Sequence, residues 1–506
     1  MIIYDCIYGK IEFKRKIVRC MLTPEMQRLR EVRLSNINSL NLTGAADINR
    51  FEHSVGTAYL AVVNERANKD SFSIDNADAF VLASLFHDMA NGPFGHSYEY
   101  ILEKQGFEPE KDFLDVFKIK TKDVRRKSAR LEQFYLGEPC RIESVLKNYE
   151  IEHINRILKG EDEVCSKILS DVIDLDNIDN VYRMAYHMGL PINKSFPVEL
   201  AKSLMCRDGK VVFKESAIPY LYDWYALRSK EYEILLYNPE DFAAKCMLNE
   251  ALELTLENEP GLIKWNYTDR ELIGAMLKGD DVWDTTYVII KENITVPEDI
   301  GNDKDRMIEL LISCGVNVPS NANIDICRSD EGYKATFYNT TYLFTGDKLL
   351  KEKVVSLSTN RIVKRLMCGD LYRCIGLYVC ENTDSSEVFF DRSKRVPLQF
   401  QCMDYLSGEN DKESIMVSFH AIIDKKKTNR RLEITTDSGN VLEIGKDSND
   451  LIIGAFISNP RYGMAKSELN RKRMSGLRER TGKFLADKGF YCVEYNFLNH
   501  AYGGIK

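Results

Sequence analysis

The sequence has 506 residues, of which 44% are hydrophobic, so it is long enough for two or three domains with separate cores. Lys and Arg number 69 against 77 Asp and Glu, and the net charge of −8 excludes a global basic field that would draw the protein onto nucleic acid. Thirteen cysteines show no paired C-x-x-C spacing and no secretory signal precedes them, so we expect free thiols and a cytoplasmic protein. No apolar run is long enough to predict a membrane span.

The start of the chain predicts a short hairpin followed by helices. Residues 2–13 alternate apolar and polar side chains, which indicates a β-hairpin. Thr23 and Pro24 are typical of a helix N-cap and a first helical position. Apolar residues then recur at helical spacing over residues 51–66, which places His53 in the first turn of that helix.

A second helix is predicted to begin at Asp75 and to end at the Gly-Pro pair at 92–93, with His87 and Asp88 on its last turn. Buried polar residues need partners, and neighbouring helical residues point about 100° apart, so one partner rarely satisfies both. Neutral imidazoles together with a carboxylate suit a bound metal ion. We therefore interpret these two residues and His53 as candidate metal ligands.

The chain to about residue 280 is predicted to be nearly all α. Residues 107–170 are polar and irregular, and they include a basic run at 122–130. The next helix ends at Gly189, and helices follow over 216–257 and 268–278. Four polar residues share one face of the helix before Gly189, namely Asp176, Asn180, Arg183 and His187.

After residue 280 strand-like runs become frequent. A helix is expected at 360–373, and residues 374–457 contain several runs typical of an antiparallel sheet, among them EVFFDR at 387–392. A basic helix at 465–488 precedes a final strand. We predict three regions: a helical core over 1–280, a mixed extension over 281–373 and an α+β carboxy-terminal domain over 374–506.

Several motifs follow one another in a fixed order: RLREV at 28–32, TGA at 43–45, RFEHSVG at 50–56, FHDMANGPFGHSYE at 86–99 and DLDNIDNVYRMAYHMGL at 174–190. In this order the chain resembles the HD-domain phosphohydrolases, in particular the dNTP triphosphohydrolases related to the vertebrate antiviral SAM-and-HD-domain enzyme. The resemblance covers about the first 280 residues. It implies a mainly α HD-domain helical core, followed here by the carboxy-terminal α+β domain.

The resemblance also implies roles for individual residues. Four positions match the family's metal ligands: His53, His87, Asp88 and Asp176. Two imidazoles and two carboxylates suit a divalent ion such as Mn, Fe, Zn or Mg. Three further positions match groups that bind phosphate or line the pocket: Arg50, Arg228 and His96, of which Arg50 and His96 are also catalytic candidates.

The sequence departs from the family pattern at several positions near the site. Asn91 replaces the second histidine of HDxxH and is our third catalytic candidate, but an amide cannot serve as an acid at neutral pH. Leu34 and Met184 replace the two polar partners of the sugar 3′-hydroxyl, and Asn177 and Asn180 replace a lysine and a tyrosine. An apolar pair cannot satisfy a hydroxyl, so we expect weaker selection of the sugar.

The predicted function is a metal-dependent nucleotide phosphohydrolase that releases triphosphate from a (deoxy)nucleoside triphosphate. One alternative is a catalytically degraded HD protein that binds nucleotide as a sensor or regulatory subunit. Another is a phosphodiesterase that acts on a cyclic or oligonucleotide substrate. The family precedent implies a homo-oligomer, a nucleotide could act as effector, and the local basic patches could touch nucleic acid.

Overall fold

The computed structural model describes residues 2–35, 45–69, 74–95, 98, 101, 141–262, 264–279, 281–297, 300, 303–319, 322–329, 332–337, 340–406, 415–423, 431–446, 448–458 and 468–495. Its helices, numbered in chain order, are α1 Arg15–Met21, α2 Pro24–Arg28, α3 Arg50–Ala67, α4 Ile74–Phe86, α5 Ile142–Val145, α6 Asn148–Leu158, α7 Cys165–Leu169, α8 Leu175–His187, α9 Phe196–Ser203, α10 Ile218–Tyr237, α11 Pro239–Asn258, α12 Asp269–Met276, α13 Lys304–Ser313, α14 Thr359–Met367, α15 Glu387–Phe390, α16 Arg392–Leu406 and α17 Glu468–Asp487.

The strands are β1 Ile2–Asp5, β2 Gly9–Glu12, β3 Leu204–Arg207, β4 Lys210–Phe213, β5 Asp281–Lys291, β6 Asp325–Ser329, β7 Gly332–Phe337, β8 Thr340–Thr345, β9 Lys348–Ser358, β10 Arg373–Glu381, β11 Val417–Ile423, β12 Leu432–Thr436, β13 Val441–Ile444, β14 Asp450–Ile457 and β15 Val493–Glu494. Within the described ranges they form a β1-β2 hairpin and sheets of order β5-β9-β8-β7-β6, β11-β14-β10-β15 and β13-β12-β4-β3. The pairing of β12 with β4 is parallel, and the other pairings are antiparallel.

The helical part forms around α3, which packs against α4, α8 and α9. Its apolar core also includes Leu432, Ile434 and Ile444 from β12 and β13. A second core joins α11, α12 and α14 to β10 and β14. Strands late in the chain thus complete a core that the first 280 residues begin. The predicted division at 280 and 373 stays a prediction, and both this core and the β12-β4 pairing cross it.

Polar caps fix where α3 and α8 begin. The Asn49 side chain accepts a hydrogen bond from the backbone N–H of Glu52, and the Asp174 side chain accepts one from the backbone N–H of Asn177. Gly189, with φ of +75°, follows the end of α8, a conformation that glycine adopts without a steric penalty. These caps define the first turns of α3 and α8, which contain His53 and Asp176.

Three expectations about local structure were wrong. The described part of 107–170 is not irregular, because α5, α6 and α7 lie there. The run EVFFDR is not a strand: it forms α15 and is followed by α16, which continues through Pro397. The helix α4 ends at Phe86, so His87 and Asp88 lie in the turn that follows it. Among the described helices none has the length and hydropathy that a membrane span requires.

Candidate metal centre

Three segments bring the candidate metal ligands together. His53 lies in the first turn of α3, Asp176 in the first turn of α8, and His87 and Asp88 in the turn after α4. His53 Nε2 lies 2.8 Å from Asp176 Oδ1 and 3.2 Å from His87 Nε2. The Asp88 carboxylate is 3.8 Å from His53 Nε2 and 3.7 Å from His87 Nε2. His53, His87 and Asp176 therefore meet at one point, and the Asp88 carboxylate lies within 4 Å of both imidazoles.

In each of the two histidine rings, the hydrogen bond made by Nδ1 determines whether Nε2, which faces the common point, is an acceptor in the neutral ring. His87 Nδ1 lies 2.8 Å from the Ser84 carbonyl, which only accepts, so Nδ1 is the donor. His53 Nδ1 lies 2.7 Å from Asp179 Oδ2, and that carboxylate is ionised because Arg183 and His53 hold its pKa at about 2 against the effect of burial. In the neutral rings both Nε2 lone pairs therefore point at each other across 3.2 Å.

Two facing lone pairs repel unless a cation lies between them, so this donor set fits a metal ion. The pKa values indicate the same preference for positive charge. Burial alone would lower the pKa of His53, but hydrogen bonds to Asp176 and Asp179 raise it to about 10. Burial would raise the pKa of Asp176, yet His87 and His53 hold it well below its usual range. The Asp176 side chain keeps 37% of its exposure, which leaves the site open to solvent on one side.

Asp88 is held by two of the predicted catalytic residues. Arg50 Nη1 lies 2.8 Å from Asp88 Oδ2, and Asn91 Nδ2 donates to Asp88 Oδ1 at 2.7 Å. Burial would raise the pKa of Asp88, but the Arg50 cation, the nearest of several charges, lowers it. Arg28 donates to the carbonyl of Asn91 at 2.6 Å and thereby anchors the turn. Arg50 and Asn91 thus orient the carboxylate that follows His87.

Sequence reasoning missed a buried layer behind the ligands. Asp179 accepts from His53, from Tyr8 Oη at 2.7 Å, and from Arg183 through Nε and Nη2, both at 2.9 Å. Asp179 and Arg183 are both 0% exposed. Glycine at position 56 allows this layer to form, because a Cβ there would lie 2.0 Å from Asp179 Oδ1. The signal in the sequence was Asp179 three residues after Asp176, on the same helix.

The predicted polar face of α8 divides between two environments. Asp176 faces the two histidines, whereas Arg183 bonds Asp179 and Glu52, and His187 Nε2 lies 3.1 Å from Glu52 Oε1. The polar side chains of α8 therefore contribute to two neighbouring groups. Asp176 and Asp179, separated by less than one helical turn, are the two α8 residues that contact His53.

The predicted substrate-binding residues lie in different surroundings. Asn177 donates its amide to both Asp174 oxygens, at 3.0 and 2.9 Å. Leu34 packs with the buried Met184 and Ile48. Arg228 is buried, with its guanidinium 4.5 Å from the ring centre of Tyr232. Asn180 is half-buried on α8. Predicted residues outside the described ranges are His96 and the whole basic run at 122–130.

Residues 50–184, which contain all four converging ligands, match the family model for the HD domain. Residues 50–184 therefore form an HD domain of divergent sequence, and the predicted fold class, a mainly α HD-domain core followed by an α+β region, is confirmed. Coordination of a divalent metal ion is characteristic of HD domains, and His53, His87 and Asp176 form a group that could hold one.

Several curated proteins are similar to this chain. The uncharacterized protein YwfO of Bacillus subtilis is 22% identical over 252 residues, 49% of this chain and 54% of that protein. The deoxynucleoside triphosphate triphosphohydrolase SAMHD1 of Bos taurus is 38% identical over 103 residues, 19% of this chain and 17% of that enzyme. The Mus musculus enzyme of that name is 28% identical over 205 residues, 39% of this chain and 28% of that enzyme. The matches thus cover about half of the bacterial protein and less of the mammalian enzymes.

A solved structure shares the fold over nearly the whole chain. It is the crystal structure of a hypothetical protein from Aquifex aeolicus, with a TM-score of 0.54 and 15% identity. The similarity covers 95% of this chain and 99% of that one. The carboxy-terminal region therefore belongs to a fold that also occurs in that bacterial protein.

Proposed function

We propose that this chain is a divalent-metal-dependent phosphohydrolase that releases triphosphate from nucleoside and deoxynucleoside triphosphates. The observation that carries the proposal is the pair of Nε2 atoms of His53 and His87, which lie 3.2 Å apart with the carboxylates of Asp88 and Asp176 beside them. A bound divalent ion supplies a Lewis acid for a phosphoryl oxygen and an activated water. His53, His87, Asp88 and Asp176 would hold that ion.

The other residues of the centre orient groups and supply charge. Asp179 keeps the Nε2 atom of His53 available by accepting the proton on Nδ1. Arg50 places a guanidinium against Asp88, directly beside the proposed ion, and guanidinium groups bind phosphate oxygens well. The open side at Asp176 provides the route by which a polyphosphate and water would enter.

Support for nucleoside triphosphates as substrates comes from the relatives named triphosphohydrolases and from the order of motifs that they share with this chain. The residues expected to contact the sugar differ from the family pattern. Leu34 and Met184 form an apolar cluster with Ile48 where the family has polar partners for the 3′-hydroxyl. A pocket of apolar groups separates substrates that differ by one hydroxyl by only about 100-fold or less. We therefore propose that the sugar is bound less selectively than in those relatives.

Asn91 favours a second candidate function. Its amide donates to Asp88 where the family pattern has a histidine, and an amide carries no proton that it can transfer at neutral pH. A protein with intact metal ligands and no acid at that position would bind nucleotide and turn it over slowly or not at all. Such a protein would act as a nucleotide sensor or regulatory subunit.

One experiment separates these candidates. Purified protein is incubated with NTPs, dNTPs, a cyclic dinucleotide and a short oligonucleotide in the presence of Mn²⁺, Fe²⁺, Zn²⁺ or Mg²⁺, and the products are separated by chromatography. We expect triphosphate release that disappears in His87→Ala and in Asp176→Ala but persists in the control His153→Ala, whose imidazole lies 3.7 Å from Asp162 outside the centre. Nucleotide binding without turnover would instead support the sensor. Cleavage of only the diester substrates would show a phosphodiesterase.

The remaining expectations about partners are also proposals. A homo-oligomer is tested by light scattering with and without nucleotide, and a cytoplasmic location by fractionation. Three cations of the basic helix α17 that the structure describes are engaged within the protein, so they do not favour contact with nucleic acid there. Arg478 and Arg480 donate to the backbone carbonyls of Ile375 and Leu406, and Lys483 pairs with Glu479.

A further inference from the structure

A second group of metal-ligating side chains lies beside the first and is connected to it through Arg183. Cys6 lies in the turn between β1 and β2, Glu52 in the first turn of α3, and His187 is the last residue of α8. Cys6 Sγ lies 3.1 Å from Glu52 Oε1 and 3.6 Å from His187 Nε2, and these last two atoms are 3.1 Å apart. A thiol, a carboxylate and an imidazole from three elements therefore meet at one point.

These separations are close to those of a tetrahedral zinc site. With ordinary zinc–ligand lengths, a tetrahedral arrangement places sulfur about 3.6 Å from nitrogen and from a carboxylate oxygen, and nitrogen about 3.4 Å from that oxygen. The Cys6–His187 distance agrees with this geometry, and Glu52 needs to move by only about 0.5 Å or less to satisfy it. The side chains of Glu52 and His187 keep 29% and 24% exposure, so an ion can reach the group from solvent.

The surroundings carry the negative charge that a divalent ion requires. Arg183 Nη1 lies 2.7 Å from Glu52 Oε1 and 3.0 Å from Asp5 Oδ2, and Asp179 accepts from the other two nitrogens of the same guanidinium. Three carboxylates thus face one guanidinium, so its presence does not make the pocket cationic. Asp5 also accepts the backbone N–H groups of Ile7 and Tyr8, which fixes the turn that contains the cysteine.

We propose that Cys6, Glu52 and His187 form a second metal site, distinct from the HD centre, that takes a borderline or soft divalent ion such as Zn²⁺ with water as the fourth ligand. Binding forms one sulfur–metal bond and releases the thiol proton to solvent. The ion would tie the β1-β2 hairpin to α3 and α8. Glu52 precedes His53 in the sequence, and Arg183 is bonded to Asp179. The second ion would therefore also restrict the movement of the buried layer of Asp179 and Arg183 behind the HD centre.

Sulfur makes this site separable from the HD centre, whose four ligands are imidazoles and carboxylates. Cobalt(II) replaces zinc with similar geometry, and a cobalt–thiolate bond gives a sulfur-to-metal charge-transfer band in the near ultraviolet. The test is a Co²⁺ titration of the full-length metal-free protein, followed by absorbance, with Zn²⁺ added last as competitor. We expect the band to saturate at one thiolate-bound cobalt per chain and to disappear when zinc is added.

Variants assign the band to its residues. The band should be present in Asp176→Ala and absent in Cys6→Ser. In His187→Ala, which keeps the thiol, the band should form with a cobalt affinity at least about tenfold weaker than in the wild type. Cys206→Ser is the matched control, because Cys206 is also half-buried and its thiol donates to the Glu163 carbonyl. Circular dichroism verifies that each variant is folded. A folded wild type without the band, or a band that persists in Cys6→Ser, overturns the proposal, and neither result depends on phosphohydrolase activity.

Discussion

Replacement of Gly56 by alanine tests whether the buried layer behind the metal centre determines stability and metal affinity. The added Cβ would lie 2.0 Å from Asp179 Oδ1, 2.2 Å from Arg183 Nη2 and 2.7 Å from Asp179 Cγ. Non-bonded heavy atoms cannot approach this closely, so α3 must move away from α8 or the ion pair must separate. Either movement also displaces the acceptor that holds His53 Nδ1.

The magnitude follows from three contributions. Overpacking of a dense interior costs about 1–3 kcal/mol, and disruption of a buried ion pair costs up to about 3–5 kcal/mol. Alanine is better than glycine inside a helix by about 1 kcal/mol, which offsets part of the loss. We therefore expect Gly56→Ala to lower the free energy of unfolding by about 2–4 kcal/mol.

Urea unfolding of the metal-free protein, followed by tryptophan fluorescence, measures this change. Trp224 is buried and donates to the carbonyl of Asn177 on α8, so it reports on the affected region. Gly274→Ala is the matched control, because Gly274 lies inside α12 with no atom within 4 Å of the added Cβ. Its free energy of unfolding should rise by about 0.5–1 kcal/mol. A Gly56→Ala protein with an unfolding midpoint at or above that of the wild type would refute the reasoning.

Three further outcomes are expected. Asn91→His should raise the rate of triphosphate release, because it supplies a titratable proton beside Asp88; an unchanged rate in steady-state assays would exclude this position as the missing acid. Asp179→Asn should weaken metal affinity by about 10–100-fold in calorimetric titrations, because it no longer fixes the His53 tautomer; unchanged affinity would contradict that role. The pKa of Asp179 is lowered from 3.8 to about 2, so its contribution to stability is complete above pH 3.8 and is lost as pH falls through about 2. The free energy of unfolding, measured as a function of pH in the acid range, should show this loss in the wild type but not in Asp179→Asn.

Local sequence patterns were sufficient to predict the helices that carry the site. Asn49 and Asp174 are strong N-caps, and apolar residues at helical spacing follow each of them, so α3 and α8 form where the sequence indicates. The ligands themselves were proposed because the His-Asp pair and Asp176 occur in the order of a known motif set. Their convergence within 4 Å is a property of the packing of α3 against α4 and α8.

Contacts between distant parts of the chain could not be predicted in the same way. Tyr8 and Asp179 are far apart in sequence, and no local periodicity indicates that the hairpin turn closes over α8. Aromatic and β-branched residues in EVFF favour a strand locally, but tertiary packing of Phe389 against Phe419 and Phe490 accompanies a helix there. Proline is disfavoured inside helices, yet α16 continues through Pro397.

The most direct test of the central claim is the binding of Mn²⁺ to the full-length protein, measured by electron paramagnetic resonance of the free ion. The measurement is made in the Cys6→Ser background, which removes the thiolate of the second site. We predict one tightly bound Mn²⁺ per chain, with binding lost in His87→Ala and in Asp176→Ala and retained in His153→Ala. Equal binding in all four proteins, or no binding in any of them, would contradict the account.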